Sequence, residues 1–152
     1  MNKSNIWDKR FLDLAQHIST WSSCSRDNRQ VGAIIVKNNF VLSTGYNGSP
    51  TRVLSCIETD NCIRDDQNIP SGESLEICYA IHAEQNAIVS AARLGIAIDS
   101  ATLYCTHKPC SICAKLIINT GIKRVVYIED YPDAFSEELF YKGGVLLEQI
   151  TP

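Results

Sequence analysis

A chain of 152 residues is long enough to bury a full hydrophobic core and short enough to form one domain, taken here as 1–152. Its 45% hydrophobic and 20% charged residues are those of a soluble globular protein, and a net charge of -3 counts against a non-specific nucleic-acid binder, which carries a basic face. No apolar run reaches the roughly 20 residues of a membrane span, residues 1–8 open no signal peptide, and an odd count of seven cysteines favours metal thiolates in a reduced, cytoplasmic setting over a disulfide framework.

The chain opens with a helical pattern. Trp7, Phe11, Leu14, Ala15, Ile18 and Trp21 recur at helical spacing and predict an amphipathic helix over 6–23. A polar break follows at 24–29. Residues 31–36 and 40–45 are β-rich and flank the tight turn Lys37-Asn38-Asn39, so they read as a hairpin. A turn cluster, Tyr46-Asn47-Gly48-Ser49-Pro50, ends it. From 51 to 80 no periodicity survives, which is long for a loop in a compact domain. This stretch carries Cys56, Cys62 and Cys78, so it reads as an insertion held in place by something.

Order then returns in alternation. The pattern predicts a helix over 81–94 stopped by Gly95 and a strand over 101–106. A second helix over 110–120 is stopped by Gly121. A strand over 124–128, a helix over 132–141 and a strand over 145–150 complete the chain. Helices between successive strands imply parallel crossovers, and the early hairpin adds an antiparallel pair. The expected fold is a three-layer α/β/α sandwich on a five-stranded mixed sheet.

Two helix starts carry the chemistry. His82-Ala83-Glu84 opens one and Pro109-Cys110-Ser111-Ile112-Cys113 opens the other. One imidazole and two thiols make a zinc site with three protein ligands and an open fourth position, the arrangement of catalytic zinc. Cys110 and Cys113 are three apart, so both can face one ion, and the positive end of a helix favours thiolate. Glu84 is not a ligand. Its role is to take a proton from the attacking water and pass it to the ring nitrogen and the leaving amine. Either half of the motif alone is common; His-x-Glu together with Pro-Cys-x-x-Cys is the signature of zinc nucleobase deaminases. Cys105 reads as a buried core thiol rather than a ligand, and His17 and His107 as non-ligands, with His107 near enough to line the pocket.

Longer segments carry a resemblance. They are Gln30 through Val36, Ser43 through Pro50, His82 through Ile88, Leu103 through Lys115 and Gly121 through Tyr127. From first helix to last strand the chain resembles the cytidine deaminase superfamily and, within it, the deoxycytidylate (dCMP) deaminases. The Gly45-Tyr46-Asn47-Gly48 turn points to dCMP rather than to a free nucleoside or a tRNA base. The resemblance implies deamination of dCMP to dUMP for thymidylate synthesis, activation by dCTP, inhibition by dTTP, and a hexamer. It implies that Asn47 contacts the sugar, with Ala83 a further substrate-binding residue.

A monophosphate needs donors, and Arg26, Arg29 and Arg93 are candidates, each with a solvated surface arginine as the alternative. Tyr131, after the fourth strand, is placed either to stack on the base or to pack locally. Cys24, Cys56, Cys62 and Cys78 remain, and a closed four-cysteine zinc site would tie the insertion to the domain. Some family members have an extra zinc nearby with a histidine three residues before the match to Cys78; Leu75 stands there instead. Buried thiols or a disulfide are the alternatives. Two other functions compete. A deaminase of another cytosine nucleoside or nucleotide shares the motif; so does a deaminase of a tRNA base, but gripping a polyanion calls for a basic run that is absent. A non-catalytic zinc module needs a fourth protein ligand and has no use for Glu84.

Overall fold

The computed structural model describes residues 3–26 and 28–151. Asp27, in the polar break, lies outside the described residues, as do 1–2 and 152. The elements are α1 (Lys3–Ser19), β1 (Gly32–Lys37), β2 (Phe40–Tyr46), α2 (Cys56–Thr59), α3 (Ile63–Asp66), a 3-10 turn at Leu75–Ile77, α4 (Ala83–Leu94), β3 (Thr102–His107), α5 (Ser111–Asn119), β4 (Arg124–Glu129), α6 (Ala134–Lys142) and β5 (Leu146–Gln149). The strands form one sheet in the order β2-β1-β3-β4-β5. β1 runs antiparallel to both β2 and β3, while β3, β4 and β5 are parallel. This is the expected three-layer sandwich on a mixed sheet.

Alternation along the strands sorts the two faces. Ala33 and Ile35 of β1, Leu103 and Cys105 of β3 and Val125 of β4 face one way, against α4, α5 and α6. Ile34, Val36, Tyr104 and Val126 face the other way, against Phe11, Leu12 and Ile18 of α1. Each fully buried Ile or Leu there is worth roughly 1.5–3 kcal/mol over an exposed one. Asn38 and Asn39 both take positive φ, which gives β1 and β2 the two-residue turn that suits twisted hairpins. Gly32 and Gly45 permit close helix approach. A Cβ on Gly32 would sit 2.1 Å from the Ala15 carbonyl oxygen, and one on Gly45 would sit 2.2 Å from that of Ala83. Gly45 thus presses β2 onto the first turn of α4.

Beneath α1 lies a polar lock. Arg124 Nη1 and Nη2 donate to the two carboxylate oxygens of Asp8 at 2.7 and 2.9 Å, and the Tyr104 hydroxyl donates to the same group at 2.7 Å. Burial pushes the Asp8 carboxyl up, but these bonds outweigh it and hold its pKa below the usual value.

Two expectations are corrected. α1 ends at Ser19 rather than at 23, because the chain then turns to bond the hairpin end. The Ser22 hydroxyl donates to the Asn47 carbonyl at 2.9 Å, and Ser23 N–H donates there at 3.3 Å. Trp21 fits the helical spacing yet is exposed, edge-on to Tyr46. The insertion at 51–80 is not featureless either. It folds into α2, α3 and the 3-10 turn, with Ser55 and Glu58 forming a reciprocal cap on α2. No helix among the described residues is long and apolar enough to cross a membrane.

Candidate active site

His82 is the N-cap of α4, and its N–H donates to the Gln85 side chain at 2.9 Å. Cys110 is the N-cap of α5, and Cys113 lies one turn in. β3 and the short segment after it carry α5 back beside α4, so both helix starts meet at one end of the sheet. His82 Nδ1 lies 3.5 Å from Cys110 Sγ and 3.3 Å from Cys113 Sγ. Among the described residues this is the one group of three or more His, Cys, Asp or Glu side chains whose donor atoms all lie within 4.8 Å of one another. One imidazole nitrogen and two sulfurs, all buried or half-buried, are the donor set that suits zinc.

The electrostatics agree with that chemistry. Hydrogen bonding with Cys113, and with His82, stabilises the Cys110 thiolate against burial and lowers its pKa to about 4. The proton stays with Cys113, whose thiol is pushed well up. Glu84 is 5% exposed. Burial raises its pKa and His82 opposes the rise, so the carboxyl holds a proton more readily than an exposed one, as a group that takes and returns a proton must. Cys105 is buried behind the site in β3, its thiol also pushed up by burial, as expected of a core thiol.

His82, Glu84 and Cys110 line a cavity of about 190 Å³. Of the residues singled out in the sequence, Asn47, Ala83, Arg26, Arg29, Tyr131 and His107 all line it. Asn47 is engaged with backbone: its Oδ1 accepts from Val31 N–H at 2.8 Å and its Nδ2 donates to the Arg29 carbonyl at 2.7 Å. One amide hydrogen and one lone pair remain for a ligand. Arg26 is paired with Asp65 at 2.9 Å. Arg29, at an exposed position, donates to the Ser71 hydroxyl at 2.6 Å. Arg93 is not brought to the cavity. It is exposed in the last turn of α4, about 16 Å along the helix from His82.

Cys24, Cys56, Cys62 and Cys78 line the same cavity and are free thiols. They act electrostatically on one another, and burial raises the Cys56 thiol to about 11. They are not gathered as tightly as the first group. Two charged lining residues were not singled out in the sequence, Arg64 and Lys108. Lys108 is buried and paired with Asp130 and Glu137, which ties the segment bearing Tyr131 to α6. Asp133 adds to this by accepting from Ser111 N–H of α5 and Ser136 N–H of α6.

Residues 5–129 match the model of the cytidine and deoxycytidylate deaminase zinc-binding region. The chain belongs to this deaminase family. It is 37% identical over 147 residues to a deoxycytidylate deaminase of Schizosaccharomyces pombe, covering 96% of this chain and 44% of the relative. It is 36% identical to the ComE operon protein 2 of Bacillus subtilis, covering 95% of this chain and 71% of that protein. The chain thus spans less than half the length of the yeast relative. A solved dCMP deaminase of the cyanophage S-TIM5, in complex with dCMP and dUMP, aligns over 99% of both chains with a TM-score of 0.79 and 31% identity.

Proposed function

We propose that this family member catalyses zinc-dependent hydrolytic deamination of dCMP to dUMP, releasing ammonia and supplying dUMP for thymidylate synthesis. One observation carries the reading: His82, Cys110 and Cys113 converge beside a buried Glu84, and His82, Glu84 and Cys110 line one cavity. Likeness to a phage dCMP deaminase along the whole chain supports the substrate. His82, Cys110 and Cys113 hold the metal, which when bound supplies Lewis acidity that brings the pKa of water to about 7.

The remaining work belongs to the chain's own side chains. Glu84 takes one proton of the attacking water and gives it to the ring nitrogen as the C–O bond forms, then carries the proton of the new hydroxyl to the amine, which leaves as ammonia when the C–N bond breaks. Ala83 lines the cavity as a substrate-binding residue, Asn47 offers its free amide hydrogen to the sugar, and Tyr131 offers a ring to the base. Arg26 and Arg29 set positive charge on the wall for the phosphate.

Cys24, Cys56, Cys62 and Cys78 are read as holding a second, structural zinc, supported by their shared wall and mutual influence. Activation by dCTP, inhibition by dTTP and hexamer assembly are supported by the family resemblance. Exposed Ile112, Leu116 and Phe135 give apolar surface for a like subunit. Seven free thiols suit the cytoplasm.

A substrate panel tests the reading. dCMP is expected to be the best of dCMP, CMP, deoxycytidine and cytidine. Equal efficiency on dCMP and deoxycytidine moves the protein to nucleoside chemistry, and no turnover on any of them leaves the non-catalytic zinc module.

A further inference from the structure

Arg64 lies in α3, inside the insertion, and is only 5% exposed. Arginine is almost never buried so deeply unless paired. Its Nη1 donates to the Ser74 carbonyl at 3.2 Å and its Nη2 to the Pro70 carbonyl at 2.7 Å. Those bonds use two of its five N–H donors, and neutral carbonyls leave its charge uncompensated. Among the described residues no carboxylate pairs with it. The contrast is with Arg26 and Lys108 on the same cavity, which are paired with Asp65 and with Asp130 and Glu137. A buried charge without a counter-ion is costly unless an anion reaches it.

Arg64 lines the cavity that holds His82, Glu84 and Tyr131. It is close enough to act on His82 and Tyr131 electrostatically. Arg29 grips the same turn, donating to Ser71 while Arg64 donates to Pro70 and Ser74. Gly72 in that turn has φ +84 and leaves room beside the Tyr131 hydroxyl. Glu84 is the one carboxylate among the described residues lining the cavity.

We propose that Arg64, with Arg29 beside it, binds the phosphate of the substrate nucleotide, so that the insertion is part of the substrate pocket and sets the choice of nucleotide over nucleoside. The proposal rests on the deaminase reading. It gives the insertion a purpose beyond filling space: it carries a charged group over the reacting centre.

Arg64→Met removes the charge and the N–H donors and keeps an unbranched stem. Wild type and variant are assayed on dCMP and deoxycytidine, with zinc content and melting measured on both. The ratio of kcat/KM on dCMP to that on deoxycytidine is expected to fall roughly ten- to a hundredfold, the worth of charge-assisted hydrogen bonds. Arg64→Lys should recover part of that ratio. Equal losses on both substrates assign Arg64 a merely structural role and overturn the proposal. If Arg64→Met does not fold, a crystal structure of the wild type with dUMP decides. Phosphate oxygens within hydrogen-bond distance of the Arg64 guanidinium support the assignment, and a phosphate elsewhere overturns it. A dCMP preference that survives Arg64→Met sinks this proposal alone, whereas a wild type inert on dCMP sinks the deaminase reading as well.

Discussion

The unit α4–β3–α5 places its donors by secondary structure, whereas residues 51–80 place theirs by bonds between turns. In the first region His82 and Cys110 are helix caps, and the helices are fixed by the sheet, with Gly45 drawn against Ala83. Three donor atoms end within 4.8 Å of one another as a result. In the second region the helices are four residues each, with Ser55 and Glu58 capping the first, and hydrogen bonds from Arg64 and Arg29 hold the turn that follows. Its thiols share a wall without closing to the same degree. Sheet-backed geometry is set by folding alone. Geometry borrowed from turns depends on what else binds, so the reaction centre is rigid and the insertion is conditional.

The largest effect expected from breaking this contrast is in the rigid region. Glu84→Gln should fold, keep the metal and lose about 10²–10⁴-fold in turnover, the usual worth of a general acid–base group. Near wild-type turnover would refute the assigned role. Cys110→Ala should lose both the metal and the activity, read by metal analysis beside the assay.

A smaller, local effect is expected in the conditional region. Wild type should hold two zinc ions per chain and Cys78→Ser about one, a change expected from loss of one ligand of a closed four-cysteine site. Cleavage within 51–80 by a protease should quicken in Cys78→Ser while the His82 site keeps its metal. One zinc in the wild type, with Cys56 and Cys62 open to alkylation in the native protein, would eliminate the second site.

The smallest effect is on stability and concerns the face far from both. Asp8→Asn should cost about 2 kcal/mol near neutral pH, between an exposed ion pair and a fully buried one. Because Asp8 is held below its unfolded value, its contribution is present above about pH 4 and fades as pH falls through the lower folded value. Melting of wild type and variant should therefore converge in acid. A gap that persists at pH 2 would mean that packing, not charge, is what the substitution removes.

The layers and the metal donors were legible because their signals repeat. Alternation marks the strands, 3.6-residue spacing marks the helices, and the cap positions coincide with His82 and Cys110. The insertion was not legible, because α2 and α3 are about one turn each and one turn has no period to read. Arg64 looks like any loop arginine in sequence; its burial comes from carbonyls that only folding brings near. The end of α1 was missed for a similar reason, since Trp21 keeps the spacing but the bonds from Ser22 and Ser23 to Asn47 redirect the chain. Arg93 was avoidable. Counting eleven helical residues from His82 already carries it three turns from the reacting end.

Gly48 and Ile81 exchange two backbone hydrogen bonds, at 3.2 and 2.8 Å. The chain therefore leaves the sheet after β2 and re-enters ahead of α4 at a single point, and everything from 49 to 80 is a closed detour. The entropic cost of such a detour grows only slowly with its length. A lineage can lengthen it, shorten it or exchange it wholesale, and the clasp at its base keeps His82 where it is. Selectivity is then free to drift on the detour while the chemistry behind the clasp is inherited unchanged.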